Sequence, residues 1–283
     1  MRRRAVFSVN TAVLLFGLAG LFAKWIHLPA IGITFGRVLF SSVALGVFIL
    51  IRKQSFQIAS KRDLLFLLSA GAILAFHWWS FLRSIQLSSV AIGTITFSSF
   101  PLFVTFLEPL LFRRKLKMRN IMIAVIVLIG VLITIPEFSL ENRMFIGILV
   151  GMASAFAYAI LTIINKRMAE KYGGTLTAFY EQATAAVVLL PFILGAKIRP
   201  SIPDIALLLF LGVITTALAH TLFISSLKAL PAQLAGICSS METVYGILFA
   251  MILLGEIPAI REIIGAVVIV AAVIFAQMRA DHP

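Results

Sequence analysis

Residues 232–276 read AQLAGICSSMETVYGILFAMILLGEIPAIREIIGAVVIVAAVIFA. They form one apolar run at 234–254 and a second from 260 that continues to 278, parted by Gly255, Glu256, Ile257 and Pro258. Each run is close to the roughly 20 residues a helix needs to cross a bilayer. A single acid, Glu242, stands in the middle of the first. The same design occurs earlier, at 90–112 and 119–135, across a short loop. A shift of 142 residues lays 81–86 (FLRSIQ) on 223–228 (FISSLK), Phe16 on Tyr158, Lys24 on Lys166 and Pro101 on Thr243. One register thus relates most of the two halves, the sign of a chain built from two homologous units.

Composition points the same way. With 61% hydrophobic and 12% charged residues over 283 positions, the chain lacks the polar shell a soluble core requires. Turns and charges divide it into ten apolar segments, 6–24, 31–51, 64–85, 90–112, 119–135, 144–165, 175–195, 203–226, 234–254 and 260–278. The expected fold is all-α, a polytopic membrane protein of ten transmembrane helices. Five spans per half make the second half enter from the opposite side, so the repeats, 1–140 and 141–283, are expected to be inverted.

The net charge of +13 reflects topology rather than a nucleic-acid partner. With the amino terminus placed in the cytoplasm, 17 of the 24 Lys and Arg residues fall on the cytoplasmic side and five outside, while Arg37 and Arg83 lie within spans. That is the positive-inside bias of an even number of spans with both termini cytoplasmic. The basic loop from Arg113 to Arg119 is read as a topology anchor, with no nucleic-acid binding. Arg2, Arg3 and Arg4 before an apolar stretch resemble a signal peptide, but the stretch has no clear cleavage site after it and is read as a retained first span. The single cysteine, Cys238, excludes an internal disulfide and a thiolate cluster for a metal.

Polar groups at membrane depth are costly and face partners or wet cavities. The second span carries Thr34, Arg37 and Ser41 on one face, and the seventh answers with Thr177, Glu181 and Thr184. Aligning these segments by their shared Phe-Ile ends sets Arg37 opposite Glu181 in the repeat, either as structural charges or as coupling or gating groups. The third span holds His77, Trp78 and Trp79 near its centre, where an indole can line a pocket and still donate its N–H. Thr216, His220 and Phe223 in the eighth span make the counterpart, with the two histidines at different register, and each histidine is either a proton relay or a neutral core residue. Ser98 belongs to a polar stripe with Thr94, Pro101, Thr105 and Glu108, and Glu108 is read as an interfacial partner of Arg113 and Arg114. In the ninth span Ser239, Glu242, Tyr245, Gly246 and Phe249 share a face. A carboxyl so deep suits proton exchange, contact with a substrate ammonium, or a structural hydrogen bond to a neighbouring helix.

The paired half-units, SSVA at 88–91 before SSFPLF at 98–103, and METVY at 241–245 with LGEIP after it at 254–258, resemble the EamA domains of the drug/metabolite transporter superfamily. The resemblance covers essentially the whole chain, with two departures: Arg114 stands where the first Gly-Glu would be, and Thr243 replaces a proline that often comes after the ninth-span Glu. It implies a secondary transporter, tilted toward export of amino acids and other small metabolites, with a central cavity between inverted halves in the cell membrane, the inner membrane if the source is a bacterium. Glu256 is read as a structural cap or loop residue.

No Gly-x-Ser-x-Gly elbow, His-Glu-x-x-His or nucleotide-binding glycine loop occurs, so neither hydrolase chemistry nor ATP drive is expected, and no cofactor is implied. The alternatives kept open are a passive facilitator or channel and an intramembrane lipid-modifying enzyme. The expected cavity is formed by spans 1, 3, 4, 6, 8 and 9. Substrate contacts are expected from His77, Trp78, Trp79, Ser98, Tyr158, His220, Glu242 and Tyr245. Coupling or gating falls to Arg37, Glu181 and Glu242, with a small organic solute such as an amino acid as substrate and protons as coupling ion.

Overall fold

The computed structural model describes residues 2–112, 118–196, 198–226, 230 and 232–278. The basic loop 113–117, Lys228 and Arg279 lie outside the described residues, as does the expected contact of Glu108 with that loop. The first half consists of α1 (Arg2–Ala19), α2 (Phe22–Trp25), α3 (Ala30–Ile51), α4 (Lys61–Leu87), α5 (Val90–Phe97), α6 (Phe100–Phe112) and α7 (Met118–Thr134). The second consists of α8 (Arg143–Tyr172), α9 (Gly174–Ala196), α10 (Ile202–Gly212), a π-helical turn at Val213–Leu218, α11 (Ala219–Ser226), α12 (Ala232–Leu254) and α13 (Ile260–Met278). Six stretches are long and apolar enough to cross a membrane: Ala5–Trp25, Ala30–Ile51, Lys61–Leu87, Arg143–Tyr172, Gly174–Ala196 and Ile202–Ser226. Shorter apolar helices cover Val90–Val104, Ile121–Thr134 and Met241–Leu254.

The bundle is inside-out relative to a soluble protein. Val43, Phe48, Ile51, Met122, Val125, Phe192 and Leu194 point outward, whereas Arg37, Glu181, Gln182, His77 and His220 are buried. This is the distribution of a protein whose solvent is lipid. Among the described residues the packing is reciprocal. α4 lies on α8 as α1 lies on α11, α1 on α12 as α8 on α5 and α6, while α3 meets α9 and α7 meets α13.

Three expected single spans are interrupted. The first breaks between α1 and α2. The fourth breaks at Ser98 and Ser99, between α5 and α6, where Pro101 has no N–H to continue the ladder from Phe97. The eighth carries the π turn, which sequence periodicity did not foresee. There the Thr215 and Thr216 hydroxyls both donate to the Leu211 carbonyl, at 2.9 and 2.6 Å, the second reaching back five residues. A π turn widens the ladder by one residue and re-aims the helix beyond it.

Two glycines set the spacing around the centre. A Cβ on Gly17 of α1 would stand 2.7 Å from Tyr245 Cβ and 3.0 Å from the Gly246 nitrogen of α12. One on Gly71 of α4 would stand 2.6 Å from the Glu181 carbonyl of α9. Both crossings need backbones in near contact, which only glycine permits.

Candidate functional site

A small cavity lies where the two halves meet. Phe16 and Ala19 come from α1, Arg37 from α3, His77, Trp78 and Phe81 from α4, Phe97 from α5, Tyr158 from α8, His220 from α11 and Glu242 from α12. The space open to the centre of a water molecule is about 30 Å³, enough to hold water. Its walls are aromatic and its few polar groups converge, the usual character of a small-molecule site.

Arg37 is fully enclosed, with 2% of its surface exposed. Its guanidinium lies 3.9 Å from the centre of the Trp78 ring, a cation–π contact. Its Nε donates to Thr216 Oγ1 at 3.2 Å. The π turn explains this acceptor, because the Thr216 hydroxyl spends its own proton on Leu211 and keeps a lone pair for Arg37. Among the described residues the two terminal nitrogens have neither a hydrogen bond nor an ion pair, and they are not sealed from the cavity.

Trp78 meets His220 edge-on at 5.5 Å, and His220 Nε2 is 2.8 Å from Glu181 Oε2. The 142-residue shift lays Trp78 on His220, and the Phe-Ile alignment lays Arg37 on Glu181. The chain Arg37, Trp78, His220, Glu181 therefore crosses between repeats through matching positions, a cation on an aromatic face in one half and a carboxylate on an imidazole in the other. Arg37 and Glu181 do not pair with each other. Glu181 Oε1 has no partner among the described residues.

His77 sits in a cage of rings, 4.7 Å from Tyr158, 5.3 Å from Phe97 and 6.3 Å from Phe81. Its Nδ1 is 3.1 Å from the Ser154 carbonyl and 2.8 Å from the Ser154 hydroxyl, which in turn donates to the His77 carbonyl at 2.9 Å. Glu242, 8% exposed, makes no hydrogen bond or ion pair among the described residues. The Tyr158 hydroxyl is likewise unbonded and unsealed.

The expected site residues therefore divide. His77, Trp78, Tyr158, His220 and Glu242 line the cavity, joined by Arg37 from the second span, which was not expected to contribute a wall. Trp79 packs half-buried against the central apolar cluster and Phe76. Ser98 bonds Thr243, whose hydroxyl also donates to the Thr94 carbonyl at 3.0 Å, so this pair pins the α5–α6 break to α12. Tyr245 packs where α12 crosses Gly17. Glu181 stands behind His220 and off the cavity. Sequence reasoning missed Phe16, which the 142-residue shift pairs with Tyr158, and Ser154, which no periodicity distinguishes from other hydroxyls in helices.

An inside-out helical bundle around a buried cavity that bears charge is a multi-pass membrane transporter in class. The chain belongs to the EamA-like transporter family, which matches it over residues 3–135 and again over 145–278. It is similar to the uncharacterized transporter YxxF of Bacillus subtilis (strain 168), 26% identical over 280 residues, covering 97% of this chain and 90% of that one. It is also similar to an S-adenosylmethionine uptake transporter of Rickettsia bellii (strain RML369-C), 24% identical over 253 residues, covering 88% and 84%. One protein of known crystal structure shares the fold, with a TM-score of 0.71 at 18% identity over 99% of this chain and 98% of its own.

Proposed function

We propose that the protein is a secondary active transporter of a small organic solute carrying both charges, such as an amino acid, and that it works by alternating access. The observation that carries this reading is the pair of groups with unused hydrogen-bonding atoms in one cavity, the terminal nitrogens of Arg37 and the Glu242 carboxylate, between aromatic walls. The first meets a solute carboxylate through a planar fork of donors, and the second meets an ammonium. Beyond the Trp78 face and the Thr216 hydroxyl, the Arg37 terminal nitrogens keep donors to give, and Glu242 keeps its acceptors, so a solute can satisfy both. The relative named for S-adenosylmethionine uptake supports the class, because that molecule joins an amino acid to a sulfonium and an aromatic base.

The halves that alternate are residues 1–140 and 141–283, as inverted five-helix repeats. Support comes from the two family matches and from packing in which the main pairs exchange with the halves, α4 on α8 with α1 on α11 and α1 on α12 with α8 on α5 and α6. Protons are the proposed coupling ion, exchanged at Glu242 or at a histidine, with Arg37 and Glu181 as gating charges. The family resemblance favours export and the named relative uptake. An alternating-access carrier is reversible, so imposed gradients decide direction in vitro.

The test is accumulation of labelled zwitterionic, cationic and anionic amino acids and of S-adenosylmethionine in proteoliposomes, with and without a proton gradient. Gradient-driven accumulation of a zwitterion, lost in Glu242→Gln, is expected. Equilibration that ignores the gradient would make the protein a passive facilitator. Accumulation unchanged in Glu242→Gln would make that carboxyl structural and pass coupling to the histidines. Transport of anions alone would overturn the solute class.

A further inference from the structure

We propose that the cationic end of the solute is a primary ammonium shared between two acceptors, the Glu242 carboxylate and His77 Nε2, and that Ser154 is the positioning residue that keeps Nε2 an acceptor. This rests on the reading of the cavity as the solute site.

The hydrogen bonds around Ser154 leave one consistent assignment of protons. The His77 carbonyl can only accept, so the Ser154 hydroxyl spends its single proton there. The Ser154 carbonyl also can only accept, so the proton it meets belongs to Nδ1. Both contacts put hydrogen on Nδ1, and the neutral ring then carries its lone pair on Nε2. That nitrogen has no partner among the described residues and is not sealed, on a ring that lines the cavity. The ring cannot turn over cheaply. Tyr158 and Phe97 crowd it from one side, and a flip would set a C–H against the buried Ser154 groups. A second proton would place a further buried cation in the cavity that Arg37 already occupies.

A lone pair and a carboxylate facing one cavity ask for a cation that has N–H groups to give. A primary ammonium has three donors and satisfies both acceptors. A quaternary ammonium has none and keeps only its attraction to the aromatic faces. The site therefore reads the substitution on nitrogen as well as the charge.

Two measurements test this. The first needs no solute: nitrogen-15 spectra of histidine-labelled protein in lipid, with His77 assigned by its loss in His77→Asn. Hydrogen on Nδ1 and a bare Nε2 are expected, redistributed between the nitrogens in Ser154→Ala and retained in Ser154→Thr. Hydrogen on Nε2 in the native protein would overturn the proposal. The second compares L-phenylalanine with its N,N,N-trimethyl derivative as competing solutes in proteoliposomes. A preference for the primary amine of about tenfold, the worth of one charge-assisted hydrogen bond, is expected, and it should collapse in Ser154→Ala and persist in Ser154→Thr. Equal handling by the native protein would overturn the ammonium subsite and leave the transporter reading intact. Failure of both compounds to compete would overturn the amino-acid reading and the subsite with it.

Discussion

Glu181 is a fully buried carboxylate with one oxygen on His220 and the other on no described group. Its position in the seventh span and its match to Arg37 were legible in the sequence; its partner was not, because alignment relates equivalent positions and says nothing of which positions touch. The Arg went to an aromatic face and a threonine, and the acid went to a histidine. Removing one member of such a buried pair strands the other, a loss of about 3–5 kcal/mol. His220→Ala should accordingly lower the thermal midpoint in detergent well below that of the native protein. The apolar double variant His220→Leu with Glu181→Leu should recover most of the loss, since no buried charge remains. A double variant no more stable than the single one would show that the pair's cost lies in packing rather than charge.

At the scale of elements, two side chains tie three places in the bundle together. Lys24 of α2 lies 3.5 Å from Glu256 in the turn between α12 and α13 and donates to the Ser88 carbonyl at 3.1 Å, while Glu256 accepts the Val90 N–H at 3.0 Å. The sequence reading of Glu256 as a structural cap or loop residue resolves to a cap on α5, and Lys24 holds it there. The 142-residue shift sets Lys166 and Arg114 at the matching positions, two cations that cannot form such a tie. Partly exposed pairs are worth roughly 0.2–1 kcal/mol, so loosening this one should change opening by no more than several-fold. With Ala19→Cys as a cavity reporter and Cys238→Ala to remove the native thiol, Glu256→Gln should raise the rate of labelling by an impermeant maleimide by that factor. An unchanged rate would assign the tie to folding alone.

At the scale of the whole molecule, cytoplasmic termini remain an expectation drawn from the charge bias, and it makes a direct prediction. Green fluorescent protein fused after Pro283 should fluoresce in a bacterial host, and alkaline phosphatase fused there should stay inactive. The reverse pattern would invert every assignment of inner and outer faces while leaving the helices where they are. The contacts between helices bear on the repeat in another way: α4 with α8 and α1 with α11 join opposite halves, so neither half buries its polar face without the other. A cavity lined from both halves is the result of that dependence.

The sequence by itself determined that the chain lives in a membrane and where most spans begin and end, and it showed self-similarity between its halves. Apolar run length, charge placement and self-similarity are properties of the chain alone. It also marked His77, Trp78, Tyr158, His220 and Glu242, because polar and aromatic groups are conspicuous where lipid would otherwise exclude them. Only the tertiary structure decided that Arg37 joins them, that Trp79, Ser98 and Tyr245 turn to other neighbours, and that Thr216 and Ser154 set the orientation of the groups they touch. The physical reason is rotational. Neighbouring residues on a helix point about 100° apart, and a π turn or a proline break re-aims every residue beyond it, so which hydroxyl meets which charge is settled when the helices pack.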